Sequence, residues 1–250
     1  MRHLLAVPVI LILALGLDAG GTLAQSRARL FDVELGTPIG ALPLEDFVNP
    51  ACGTNGGPPS LRLDGFEAFA LCPVEAATGL REIWFIYDDE WEYIGRAQRD
   101  AFLIGRYSAN TLYRQPIFTS LLIDDAGLVQ GYRVITDPRA PADLRKEAYL
   151  LAGVFKSIFS DAPWTCTDLP RDERERPIEG EFVKQACEMQ SDKRLVKVEA
   201  RYLYKPGQDL RVNPRELEQA QGDFESSTSL AVYRLDAVKD APCCRAFARH

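Results

Sequence analysis

Ile117-Phe118-Thr119-Ser120-Leu121-Leu122-Ile123, then Asp124-Asp125-Ala126-Gly127, then a return through Leu128 to Thr136: this stretch decides the fold. Both flanking runs are rich in β-branched and aromatic residues, which pack well on a pleated, half-buried surface. The acids and Gly127 between them tolerate the positive φ of a tight reversal. The pattern predicts an antiparallel hairpin over residues 117–136.

Working outward, Glu82-Ile83-Trp84-Phe85-Ile86-Tyr87 has the same strand composition. Asp88-Asp89-Glu90 supplies turn chemistry, and residues 91–94 read as a returning strand. Residues 30–35 alternate and predict a strand, and Thr37-Pro38 starts a short turn. Residues 49–60 form a Gly/Pro-rich loop, and residues 66–71 a short strand. Residues 96–114 fit a strand or a helix. Trp84, Trp91 and Trp164 read as core anchors.

Asp137-Pro138-Arg139-Ala140-Pro141 marks a boundary, after which the period changes. Leu144, Ala148, Leu151, Phe155 and Ile158 recur every three or four residues, which predicts an amphipathic helix over residues 142–160. Residues 182–189 read as a second helix, and residues 194–204 alternate as a half-buried strand. Asn213-Pro214-Arg215-Glu216 starts a short helix that Gly222 closes. Residues 230–235 read as a last strand. The expected class is α+β, mostly antiparallel hairpins with two or three helices, stabilised by disulfides. Two regions are expected: a β-rich one over residues 27–137, and an α+β one over residues 138–250 that opens with the long helix. They can share one core.

Ahead of these lies a targeting signature. Arg2 precedes an apolar run over residues 4–17, and Thr22-Leu23-Ala24 offers small residues to a signal peptidase. This is the layout of a secretory signal peptide over residues 1–24. The apolar run has 14 residues, short of the roughly 20 that a membrane-spanning helix needs. No span is therefore expected after cleavage. Gln25 stands where a lipoprotein would carry Cys, and no Arg-Arg pair precedes the run. The expected location is the periplasm or the exterior.

Six cysteines follow: Cys52, Cys72, Cys166, Cys187, Cys243 and Cys244. An even count behind a signal peptide reads as disulfides. Local pairing gives Cys52 with Cys72 and Cys166 with Cys187. The neighbours Cys243 and Cys244 can bond only through a small ring, or else reach two different partners. No C-x-x-C occurs, which disfavours zinc and dithiol redox chemistry.

The formal charge of −7, from 29 Lys+Arg against 36 Asp+Glu, lacks the basic footprint of nucleic-acid binding. With only His250 beyond the leader, there is no base for a Ser-His-Asp or Cys-His arrangement and no His-ligated zinc. Gly-rich phosphate loops and a G-x-S-x-G elbow are also missing. No catalytic, cofactor-binding or metal residue is assigned, and no cofactor is expected. The acidic run Asp88, Asp89, Glu90 and Glu92 with Trp91 has the ingredients of a glycosidase pair. It also has those of a solvated hairpin tip. The leading expectation is an exported, non-catalytic protein that binds a protein or small ligand of the envelope. The alternative is a carboxylate-based hydrolase of an envelope polysaccharide.

The mature protein is expected to begin at Gln25. Mass spectrometry of the native protein checks this, and an intact Met1 overturns it.

Overall fold

The computed structural model describes residues 30–42, 44–107, 110–206, 208 and 224–244. The leader, the expected helix at 213–222 and His250 lie outside them. Nine strands are present among these residues. They are β1 (Phe47–Cys52), β2 (Arg81–Tyr87), β3 (Thr111–Leu112), β4 (Gln115–Ile123) and β5 (Val129–Thr136), then β6 (Trp164–Asp168), β7 (Val183–Gln190), β8 (Arg194–Leu203) and β9 (Glu225–Arg234). Every pairing is antiparallel, in the order β1-β2-β4-β5-β9-β8-β7-β6, with β3 beside β4. The β4–β5 hairpin is the predicted one, and Gly127 takes φ +79° in its turn. Strands from both sides of Asp137 meet where β5 pairs with β9.

Alternation divides the sheet into two buried faces. Ile83 and Phe85 of β2, Leu121 of β4, Tyr132 and Val134 of β5, Val196 of β8 and Val232 of β9 face one core. Leu30, Ile39, Phe155 and Phe159 cover it. Phe31 meets the rings of Tyr132, Phe155 and Phe159 at centroid distances of 6.1, 6.4 and 6.3 Å. Removing a fully buried ring such as Phe155 would cost about 3–5 kcal/mol. On the other face, Leu122, Leu195 and Tyr233 pack with Leu80, Val238 and Cys244. No described helix is long and apolar enough to cross a membrane.

The helical segments are short: α1 (Glu90–Gln98), α2 (Ala101–Tyr107), α3 (Ala142–Arg145), α4 (Leu151–Ile158) and α5 (Leu235–Val238). Several differ from the sequence expectation, each for an identifiable physical reason. Residues 91–94 do not return as a strand but belong to α1. The Asp88 carboxylate accepts the Glu90 N–H at 3.0 Å, and Glu90 and Glu92 place negative charge at the positive helix end. The expected helix at 142–160 is interrupted by a 3₁₀ turn, Ala148–Leu150. Here β9 intervenes. The Thr228 hydroxyl donates to the Ala148 and Tyr149 carbonyls at 2.8 and 3.1 Å, and the Ser226 hydroxyl donates to the Lys146 carbonyl at 3.1 Å. Those carbonyls are drawn off the helical ladder.

Residues 182–189 are not helical. They lie in or beside β7, which is held between β6 and β8 with Cys187 directly opposite Cys166. Residues 66–71 form a 3₁₀ helix rather than a strand. Residues 30–32 do likewise, because the Leu30 N–H is taken by the Tyr87 hydroxyl at 2.6 Å instead of a ladder. Trp84 and Trp164 are partly buried, whereas Trp91 is 54% exposed and is no core anchor.

All six cysteines are bonded: Cys52–Cys72, Cys166–Cys187 and the neighbours Cys243–Cys244. The first two close loops of 20 and 21 residues, and the third closes almost none. Chain entropy therefore makes the pairs unequal. Replacing Cys52 and Cys72 by Ala together should cost about 3 kcal/mol. Replacing Cys243 and Cys244 should cost markedly less. Urea unfolding of both double variants is the check, and equal losses would refute the expectation.

Candidate functional site

The acidic run occupies the entrance to α1, not a hairpin tip. Asp88 is half-buried and spends its carboxylate on the Glu90 N–H. Asp89 and Glu90 are exposed. Glu92 is buried and accepts from Arg96 at 3.0 Å (Nε) and 2.5 Å (Nη2), one helical turn on. The four carboxylates thus divide into a helix-start partner, two solvated acids and one internal ion pair. None of them lines either of the two clefts described next.

The larger of those clefts lies where residues 31–38 cross the end of the sheet. That segment and Ile39 are laid along the start of β5 and the turn before it by three backbone bonds. The Gly36 N–H donates to the Val129 carbonyl (2.7 Å), the Val129 N–H to the Thr37 carbonyl (2.9 Å) and the Ile39 N–H to the Gly127 carbonyl (2.9 Å). Tyr132 and Val232, directly paired on β5 and β9, lie along the cleft with Phe31 and Leu35. Asp161 and the β7–β8 turn, residues 191–194, form the opposite side. The space is about 870 Å³, within the size range of small-molecule sites.

Its charges are unevenly matched. Arg194 donates to Asp161 at 3.2 and 2.8 Å and lies over the Phe159 ring, 5.0 Å from its centroid. The Arg194 hydrogen bond lowers the Asp161 carboxyl below its ordinary range. Burial raises the Tyr132 phenol, so it stays protonated at neutral pH. Arg234 stands directly across from Arg194 in the β8–β9 ladder. The residues Arg194 and Arg234 are half-buried, while Glu34, Asp161, Asp192 and Asp236 are exposed around them. Such a site offers fixed donors beside an apolar floor, which is the chemistry of ligand orientation.

The second cleft, about 370 Å³, is a shallow depression on the opposite face of β6–β9. Small side chains such as Ala186, Ser229 and Ala231 leave it open. Lys197 crosses it, donating to the Cys243 carbonyl at 2.6 Å and pairing with Glu188 at 3.2 Å. Burial pushes the Glu188 carboxyl up and Lys197 pulls it down, with burial prevailing. No group of three or more His, Cys, Asp or Glu among the described residues could hold a metal ion.

Sequence reasoning did not find the larger cleft. Its residues come from five separated segments, and only the 194–204 alternation hinted that Arg194 begins a strand. Comparison with protein-family models, with curated proteins and with solved structures finds no match.

The four acids should respond differently to substitution by Ala. Asp89 and Glu90, being exposed, should change stability by about 0.5 kcal/mol or less. Asp88 should cost about 1 kcal/mol through the lost N-terminal partner. Glu92 should also cost about 1 kcal/mol, below the 3–5 kcal/mol of a fully buried pair, because Arg96 is 57% exposed and rehydrates. Urea unfolding of the four variants checks the ranking, and losses above 2 kcal/mol at Asp89 and Glu90 would contradict it.

Proposed function

We propose that this chain is an exported, non-catalytic binding protein of the periplasm or exterior, and that it takes a small ligand in the cleft between residues 31–38 and the β7–β8 turn. The observation that carries this reading is the cleft itself, in which two half-buried arginines stand beside an apolar floor. Two of its ionisable groups are committed. Asp161 is held as a carboxylate by Arg194, and the Tyr132 phenol is held neutral by burial. Export is supported by the leader-like residues 1–24 and by three disulfides that use all six cysteines. A core shared by the two expected regions is supported by the β5–β9 pairing, which joins strands from both sides of Asp137. The carboxylate-hydrolase alternative gains no support from Asp88, Asp89, Glu90 and Glu92, which line neither cleft.

Two measurements test this. Titration with 4-phenylbutan-1-ol, a neutral probe with an apolar body, should shift the backbone amide NMR signals of residues 31–37, 191–194 and 232–236. Incubation with peptidoglycan or chitin should release no reducing ends. Release that disappears in Asp89→Asn or Glu90→Gln would move the protein to the hydrolase class.

A further inference from the structure

We infer that the ligand is a small organic anion, its carboxylate or phosphate head docked on Arg234 and its apolar body laid on Tyr132 and Val232. This rests on the cleft being the ligand site. Arg194 and Arg234 are direct cross-strand partners. Their side chains leave the same face of the sheet, with Cβ atoms about 5 Å apart, and like charges so placed repel. Arg194 is compensated by Asp161 and the Phe159 ring. Arg234 is not: among the described residues its guanidinium has no hydrogen bond and no ion pair.

A fully exposed arginine needs no partner, because water serves. Arg234 is only half-exposed, and its guanidinium is seated against backbone. A Cβ on Gly36 would stand 2.9 Å from Nη1, and Gly36 has φ +94°. The absent side chain at Gly36 makes room for the guanidinium in the cleft wall. Glu34, Asp192 and Asp236 also line the cleft, are exposed, and none pairs with Arg234. A planar fork of free donors in a partly dehydrated cleft matches a carboxylate or phosphate bidentately. The repulsion across the ladder brings the fold no gain, and local rules broken in that way mark functional sites. A bound anion supplies the missing countercharge.

The test uses the full, oxidised protein, as wild type, Arg234→Gln and Arg234→Lys. Each is titrated with 4-phenylbutanoate, 4-phenylbutyl phosphate, 4-phenylbutan-1-ol and inorganic phosphate, with amide shifts locating the site. At least one aryl anion should bind about tenfold tighter than the alcohol, the scale of one charge-assisted hydrogen bond. Whichever anion binds tighter distinguishes a carboxylate source from a phosphate source. Arg234→Gln should abolish the anion's advantage and leave alcohol binding within about twofold. Its Tm should hold or rise, because the repulsion with Arg194 is gone. Arg234→Lys should keep part of the advantage. An anion advantage that survives Arg234→Gln, inorganic phosphate binding as tightly as the aryl anions, or equal binding of alcohol and anions in the wild type would each overturn the inference while leaving the cleft a binding site. If no aryl compound binds at the cleft, the site reading fails together with the inference.

Discussion

The buried charge of Arg133 is the constraint around which one end of the molecule is organised. Its side chain is 5% exposed in the middle of β5. Glu75 accepts from Nη2 at 2.8 and 2.7 Å. The Glu82 carboxylate lies 3.0 Å from Nη1 as an ion pair off hydrogen-bond geometry. Burial opposes the charge, while Tyr233, Glu82 and Glu75 hold it. A guanidinium stripped of water costs several kcal/mol unless its donors are met. The surrounding chain holds the two carboxylates in place beside it. The Thr78 hydroxyl donates to Glu75 at 2.6 Å, and the Asn55 N–H donates to Glu82 at 2.7 Å. Two loops without regular structure are thereby tied to β2 and β5.

That tie explains why the sheet has two covered faces there. The turn before β2 brings Glu75 to Arg133, the loop after β1 fastens Glu82 beside it, and Leu80 then packs on Leu122 and Tyr233. The Cys52–Cys72 bond joins the ends of the same loop region. A cross-link, an ion network and a small apolar cluster thus act on one stretch of chain. Loss of any one leaves the others to hold a buried charge in place. Farther along the same face, toward β6, no such loop is described, and the small residues Ala186, Ser229 and Ala231 leave the shallow depression around Lys197.

The opposite face of the sheet is governed by β9. Its Ser226 and Thr228 break the expected helix by taking carbonyls at 146, 148 and 149. The resulting bend carries the chain from α3 into α4, whose Phe155 covers the core beside Phe31. The same strand ends in Arg234, opposite Arg194. One strand therefore both shapes the covering layer and supplies Arg234 to the cleft. Its inward face alternates Ser226, Thr228, Leu230 and Val232, polar where it meets the bent helix and apolar where it meets Tyr132.

Some of this was legible in the sequence by itself. The β4–β5 hairpin, β2 and β8 follow from composition and alternation, because those patterns depend only on which face of a strand is buried. The Cys52–Cys72 and Cys166–Cys187 pairs follow from short spacing, because nearby chain segments meet cheaply. Residues 182–189 and 142–160 were misread because competing partners lay far away in sequence. β7 is a strand because β6 and β8 offer it ladders on both sides, and the long helix breaks because β9 hydroxyls reach it. Local propensity of about 1 kcal/mol per residue or less cannot outweigh such contacts. The acidic run showed its residue types but not its roles, since only the fold decides that Glu92 turns inward while Asp89 and Glu90 meet water. The cleft was invisible for the same reason: its walls come from residues about 200 positions apart, and the Arg194–Arg234 opposition exists only once β8 and β9 are in register.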